Sequence, residues 1–148
     1  MLNNYEINYE TIAIIPIDES ISKLIEENNT YIVNKNATEI VNHSCKYFGS
    51  SLDGRKEGTK ALMGVSYKAP IIIEETKGLI FFPTSSPRFN ACNWISLNHI
   101  CDYMRKKDGS QVKFKNGDCL ELNISYGSLE NQVLRATRLE SILRHRKI

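Results

Sequence analysis

The chain is a succession of short apolar runs, most alternating with period two and two recurring at the wider spacing of a helix. Tyr5 to Asn8 and Thr11 to Ile15, the latter followed by Pro16, read as strands, and Ile21 to Glu26 with Tyr31 to Asn34 as a hairpin turning at Asn28-Asn29. From Thr38 to Phe48 the spacing lengthens. Ile40, Val41, Ser44, Cys45 and Phe48 recur at helical intervals, Asn36 or Thr38 can cap the start, and Gly49 can stop the end. Ile71 to Glu74 and Leu79 to Phe82 flank Lys77-Gly78 as a second hairpin ending at Pro83. Thr84 to Asn93 reads as an irregular loop, Trp94 opens a strand, and Asn98 to Lys107 fits either a continuation of that strand or a short helix. In a third hairpin Val112 and Phe114 alternate before Asn116-Gly117, and Leu120, Leu122 and Ile124 alternate after it. Ser128 then starts a helix whose apolar stripe is Leu129, Val133, Ala136, Leu139 and Leu143, with Asn131, Arg135, Arg138 and His145 on another side. The expected architecture is one α+β domain over residues 1–148: antiparallel β-hairpins forming a sheet, a mid-chain helix near 38–48 and an amphipathic C-terminal helix near 128–144.

A length of 148 residues with 41% apolar side chains suffices for a single core. The first residues lack the charged start and apolar middle of a signal peptide, and the apolar runs fall far below the ~18 residues that span a bilayer. A cytoplasmic protein with no membrane partner is expected. The net charge of +2 conceals a division: residues 1–48 hold three Lys/Arg against seven Asp/Glu, and residues 49–148 hold sixteen against ten. The basic part suits a polyanionic partner. Residues 135–148 alone hold five Lys/Arg against one Glu, although a basic helix end is also what the helix dipole favours.

Four cysteines, Cys45, Cys92, Cys101 and Cys119, raise the question of metal or catalysis, yet no Cys-x-x-Cys pair occurs. Cys92, His99 and Cys101 make three ligands only if the fold supplies a fourth, so no metal and no cofactor is expected. The thiols read as buried, reduced core residues. His43 with Cys45 and His99 with Cys101 are neighbours two apart, which face away from each other on a helix and lack an orienting third group on a strand. No catalytic residue is expected.

The densest chemistry lies in Ser44 to Thr59, Ser-Cys-Lys-Tyr-Phe-Gly-Ser-Ser-Leu-Asp-Gly-Arg-Lys-Glu-Gly-Thr. It reads as a Gly/Ser loop leaving the C-terminus of the first helix, with Arg55 and Lys56 beside short hydroxyl donors. The Gly49-to-Gly54 spacing matches a phosphate-binding loop, but Arg55 stands where that loop needs lysine and Lys56 where it needs Ser/Thr. Trp94, Tyr47 and Phe48 read as core.

Those residues, together with Tyr31-Ile32-Val33-Asn34, Phe82-Pro83-Thr84 followed by Arg88, Cys92 and Trp94-Ile95-Ser96, and Asn116-Gly117 followed by Ile124-Ser125-Tyr126 and Asn131-Gln132-Arg135, resemble the ComK family of competence transcription factors. The resemblance implies a non-enzymatic, sequence-specific activator that binds double-stranded DNA at paired AT-rich promoter boxes, largely through the minor groove. It implies a homo-oligomer that works with RNA polymerase to switch on DNA-uptake genes. Candidate DNA contacts are Arg55, Lys56 and Arg88 from loops, Lys46 beside the Gly/Ser loop at the end of the first helix, and Asn131, Gln132, Arg135 and Arg138 from the last helix; minor-groove readers commonly use Arg, and sometimes Asn or Gln. Members of the family that the chain resembles typically extend past the last helix into a tail with a hydrophobic segment recognised by a MecA-type adaptor, which delivers them to a Clp protease. This sequence stops at His145-Arg146-Lys147-Ile148, so a short member without that handle is expected. The alternative is a protein-interaction module, a shortened paralogue that modulates a full-length regulator without activating transcription itself.

Overall fold

The computed structural model describes residues 1–87 and 92–146. Strands β1 (Thr11–Pro16), β2 (Ser22–Glu26), β3 (Thr30–Val33), β4 (Ile71–Glu74), β5 (Leu79–Pro83) and β6 (Trp94–Ser96) form one antiparallel sheet in the order β3-β2-β1-β6-β5-β4. Strands β7 (Ile100–Lys106), β8 (Gly109–Phe114) and β9 (Cys119–Leu122) form a separate three-stranded antiparallel meander. Three helices complete the chain: α1 (Ala37–Tyr47), α2 (Leu52–Met63) and α3 (Tyr126–His145). The expected α+β class and all three hairpins are present. Asn98 to Lys107 resolves into a short 3-10 turn, Leu97–His99, followed by β7.

The alternation along the strands divides the core in two. Ile71, Ile73, Leu79, Phe81 and Trp94 point to one face of the large sheet, under α1, while Ile72, Ile80, Phe82 and Ile95 point to the other, under α3 and the meander. The stripe read from the sequence of α3, Leu129, Val133, Ala136, Leu139 and Leu143, is buried throughout. That helix starts at Tyr126 instead of Ser128, because Ser125 is the cap and its Oγ accepts the Ser128 amide at 3.1 Å. Tyr5 to Asn8 is not a strand. Its apolar residues enter the core from an irregular segment held by hydrogen bonds: the Ile7 amide donates to Ser44 Oγ at 2.9 Å, and the Tyr5 hydroxyl bonds Glu26 and Thr11. Ile124 likewise lies beyond β9.

The first helix is bounded as its sequence dictates. Asn36 accepts the Glu39 amide at 2.8 Å, and at the far end Gly49 takes φ +90° while its amide and that of Ser50 bond the carbonyls of Lys46 and Cys45. This is a Schellman closure, which needs a residue free to adopt the left-handed region. The main departure comes next. Instead of a Gly/Ser loop, residues 52–63 form α2: Ser51 caps it by accepting the Gly54 amide at 3.0 Å, Asp53 sits in its first turn, and Asn42 Oδ1 accepts the Leu52 amide at 3.0 Å. The helix lies beside β4 and is anchored to the segment before it, where Thr59 Oγ1 donates to the Pro70 carbonyl at 2.7 Å.

Gly58 provides a test of this helix, because a Cβ there meets nothing within 4 Å. Gly58→Ala should raise the unfolding free energy by about 0.5–1 kcal/mol, read as a higher urea midpoint at constant slope. An unchanged midpoint would argue against a helix at this position.

Candidate nucleic-acid interface

Only Phe48 to Ser51 separate α1 from α2, so the end of α1 and the start of α2 meet at one corner. Lys46 is exposed in the last turn of α1. Tyr47 and Phe48, expected in the core, are 65% and 36% exposed and pack edge to face with centroids 5.1 Å apart. Both continue the helical phase of the buried stripe. The helix ends there, however, and neither ring joins a buried cluster. Trp94 is the core aromatic that the sequence suggests, with none of its surface exposed.

Arg55 and Lys56 leave the second turn of α2, not a flexible loop, and both are half-buried. Arg55 lies beside Cys45: burial pushes that thiol up to about 11, and the guanidinium pulls against the rise. Among the described residues Arg55 Nε has no hydrogen-bond partner. Lys56 bears in the same way on Cys92, whose thiol burial also raises. The glycines that suggest a loop have another cause. At Gly54 a Cβ would lie 2.9 Å from Ser50 Oγ and 3.2 Å from Ser51 Oγ, so a side chain there would crowd the two serines that precede the helix. Arg55 and Lys56 thus stand near the positive N-terminal end of α2, while the end of α1 that precedes it is the negative one.

On α3, Asn131 and Arg138 are exposed. Arg135 is half-buried, and its guanidinium donates to the Tyr67 carbonyl at 3.1 Å and to Gln132 Oε1 at 3.4 Å. Gln132 leaves the candidate set. Its side chain is turned inward at 1% exposure, and its amide donates to the carbonyls of Lys68 at 2.9 Å and Pro83 at 2.7 Å. A polar residue flanking the apolar stripe serves here to satisfy buried carbonyls. Arg88 lies outside the described residues. Among the described residues, Lys46, Arg55, Lys56 and Arg138 have no acidic partner within ion-pair distance.

The cysteines divide two and two. Cys45 and Cys92 are buried free thiols, but Cys101 and Cys119 are exposed, which corrects the expectation of four core residues: both stand on the meander, where solvent reaches them. His43 pairs with Glu6 at 2.7 Å, and His99 bonds Ser96 Oγ at 2.9 Å and Glu27 at 3.2 Å, so each imidazole is engaged away from its neighbouring thiol. No group of metal-ligating side chains gathers among the described residues. No helix among them is long and apolar enough to cross a membrane. Two features escaped the sequence: the projecting Tyr47–Phe48 pair and the basic run Arg105-Lys106-Lys107 at the β7–β8 turn, in a stretch where helix and strand were both open.

The α1–α2 corner of this α+β domain thus carries three cations with no acidic partner among the described residues, beside two exposed aromatics. The family model described as ComK protein matches residues 2–147, and the chain belongs to that family. The competence transcription factor of Bacillus subtilis (strain 168) is 42% identical over 144 residues, covering 95% of this chain and 75% of the relative. No solved structure matches.

Proposed function

We propose that this protein is a DNA-binding transcription regulator of competence genes that recognises AT-rich boxes largely through the minor groove. The observation that carries the reading is the 42% identity, along 95% of the chain, to a relative named competence transcription factor. The α1–α2 corner supports it with Lys46, Arg55 and Lys56, which have no acidic partner among the described residues, and with Tyr47 and Phe48 projecting. A helix about 10–12 Å across does not fit a minor groove about 6 Å wide. The readers are therefore the long side chains that leave α2 near its start, while the aromatic pair is placed to press on a base step, as apolar wedges do in minor-groove proteins. Asn131, Arg135 and Arg138 add contacts from α3. Copies of the chain assemble on paired boxes, since one small module seldom buries enough surface for specificity, and RNA polymerase is the partner recruited.

The test is a salt series on a duplex with paired A-tract/T-tract boxes and on a scrambled duplex of equal composition, with the wild type and Arg55→Ala/Lys56→Ala. Preference for the boxed duplex, weakened in the variant with a log-affinity against log-salt slope shallower by about 1–2, is the expected result. Equal weak binding to both duplexes would refute autonomous recognition and favour a module that acts through a full-length partner.

A further inference from the structure

We propose that the β7–β8 turn is a second contact to the duplex, in which Arg105, Lys106 and Lys107 hold sugar–phosphate oxygens in the cleft between this turn and the residues that lead into α3. The inference rests on the DNA-binding reading and extends it to a part of the molecule remote in sequence from α2. The cleft is an open cavity of about 370 Å³, lined by Arg105, Lys106, Lys107 and Asp108 on one side and by Asn123 and Ser125 on the other. A second cavity of about 260 Å³ is also lined by Lys106 and Lys107, together with Glu121 and Leu122.

Its charge is poorly compensated. Among the described residues, none of the three cations has an acidic partner within ion-pair distance. Asp108 is the one carboxylate in the lining of the larger cavity; Glu121 lines the smaller one, and Glu130 is engaged by the Tyr126 hydroxyl at 3.1 Å. Arg105 is oriented without being neutralised. Its guanidinium stacks over the Tyr126 ring at 4.8 Å, and that ring packs on Tyr103 with centroids 5.7 Å apart. A guanidinium held by an aromatic face keeps its N–H fork available, which suits the planar, two-pronged recognition of a phosphate. Lys106 and Lys107 are exposed, and only Lys107 and Asp108 span the turn between the paired Lys106 and Gly109. So tight a turn displays its cations on a stiff hairpin. An open cleft admits a continuous backbone, whereas an enclosed one would admit only a free anion.

The experiment measures duplex affinity over a salt series for the wild type, Arg105→Ala/Lys106→Ala/Lys107→Ala and Lys106→Ala/Lys107→Ala, beside Arg55→Ala/Lys56→Ala. The double lysine variant changes only exposed side chains, so its unfolding midpoint should match the wild type. The expected result is a salt slope shallower by about 2 for that variant and by about 3 for the triple, with weakening equal on boxed and scrambled duplexes. Wild-type slope and affinity in both hairpin variants, beside a binding wild type, would overturn this inference and leave the DNA-binding reading standing; a wild type that binds no duplex would remove both. Calorimetric titration with inorganic phosphate at constant ionic strength covers the remaining source of the same chemistry. Saturable phosphate binding lost in the triple variant, with duplex binding unchanged, would assign the cleft to a free anion and overturn the duplex assignment.

Discussion

Gln132→Ala is expected to lower the unfolding free energy by about 2–4 kcal/mol, which makes this residue more important to the fold than any surface cation. Its amide group is the partner of two carbonyls from separate parts of the chain, that of Lys68 before β4 and that of Pro83 at the end of β5. Pro83 is buried, so its carbonyl has little access to replacement water, and an unsatisfied buried acceptor costs about 1–3 kcal/mol. Lys68 sits at φ +51°, a left-handed conformation that a side chain adopts at a cost, and the bond from Gln132 helps hold it there. Urea unfolding should show a lower midpoint at unchanged slope. Asn131→Ala, one residue earlier and exposed, should stay within about 0.5 kcal/mol of wild type. Equal stability of the two variants would mean that Gln132 faces solvent, and would return it to the candidate DNA contacts.

Gly109→Ala should be of similar size for a different reason. A Cβ at this position would lie 2.3 Å from the Leu122 carbonyl oxygen and 3.4 Å from its carbon. The obstacle is backbone, not a side chain that can swing away, so β8 and β9 must separate or slip where Ser110 pairs with Leu122. Overpacking of this kind typically costs about 1–3 kcal/mol, and a clash with a strand backbone belongs at the upper end. The damage should be local first. Amide exchange should speed up in β8 and β9 before it does in β1, β5 and β6, which are paired on both sides. Uniform acceleration across both sheets would show instead that the meander and the large sheet unfold as one unit.

The hairpins were legible because alternation states burial directly and the turn residues mark where it reverses. Lys77-Gly78 and Asn116-Gly117 each fall between paired strands, and Gly78 and Gly117 both take positive φ. Helix α2 was hidden because its apolar contacts reduce to Leu52, Leu62 and Met63, joined by the buried Thr59, while Gly54 and Gly58 imitate a loop. The informative signal was local: Ser51 at the cap, Asp53 in the first turn and Gly64 at the end. Periodicity misplaced Tyr47 and Phe48 for the opposite reason. It reports the phase of a helix but not where the layer beneath it stops. Within the candidate site, residue types identified the cations, but not that Gln132 faces inward or that Arg55 is half-buried.

The position of α2 alongside β4 has one further consequence. In the six-stranded sheet one margin is flanked by this helix, and the other already carries Leu2, whose amide and carbonyl bond Ile32 and Asn34. At β3 the Leu2 bridge occupies part of the outer backbone row, and at β4 the helix lies alongside, so each margin is partly screened from a neighbour's strand. If copies of this chain associate by continuing a sheet, the three-stranded meander, whose outer strands are β7 and β9, is the more open place to do so.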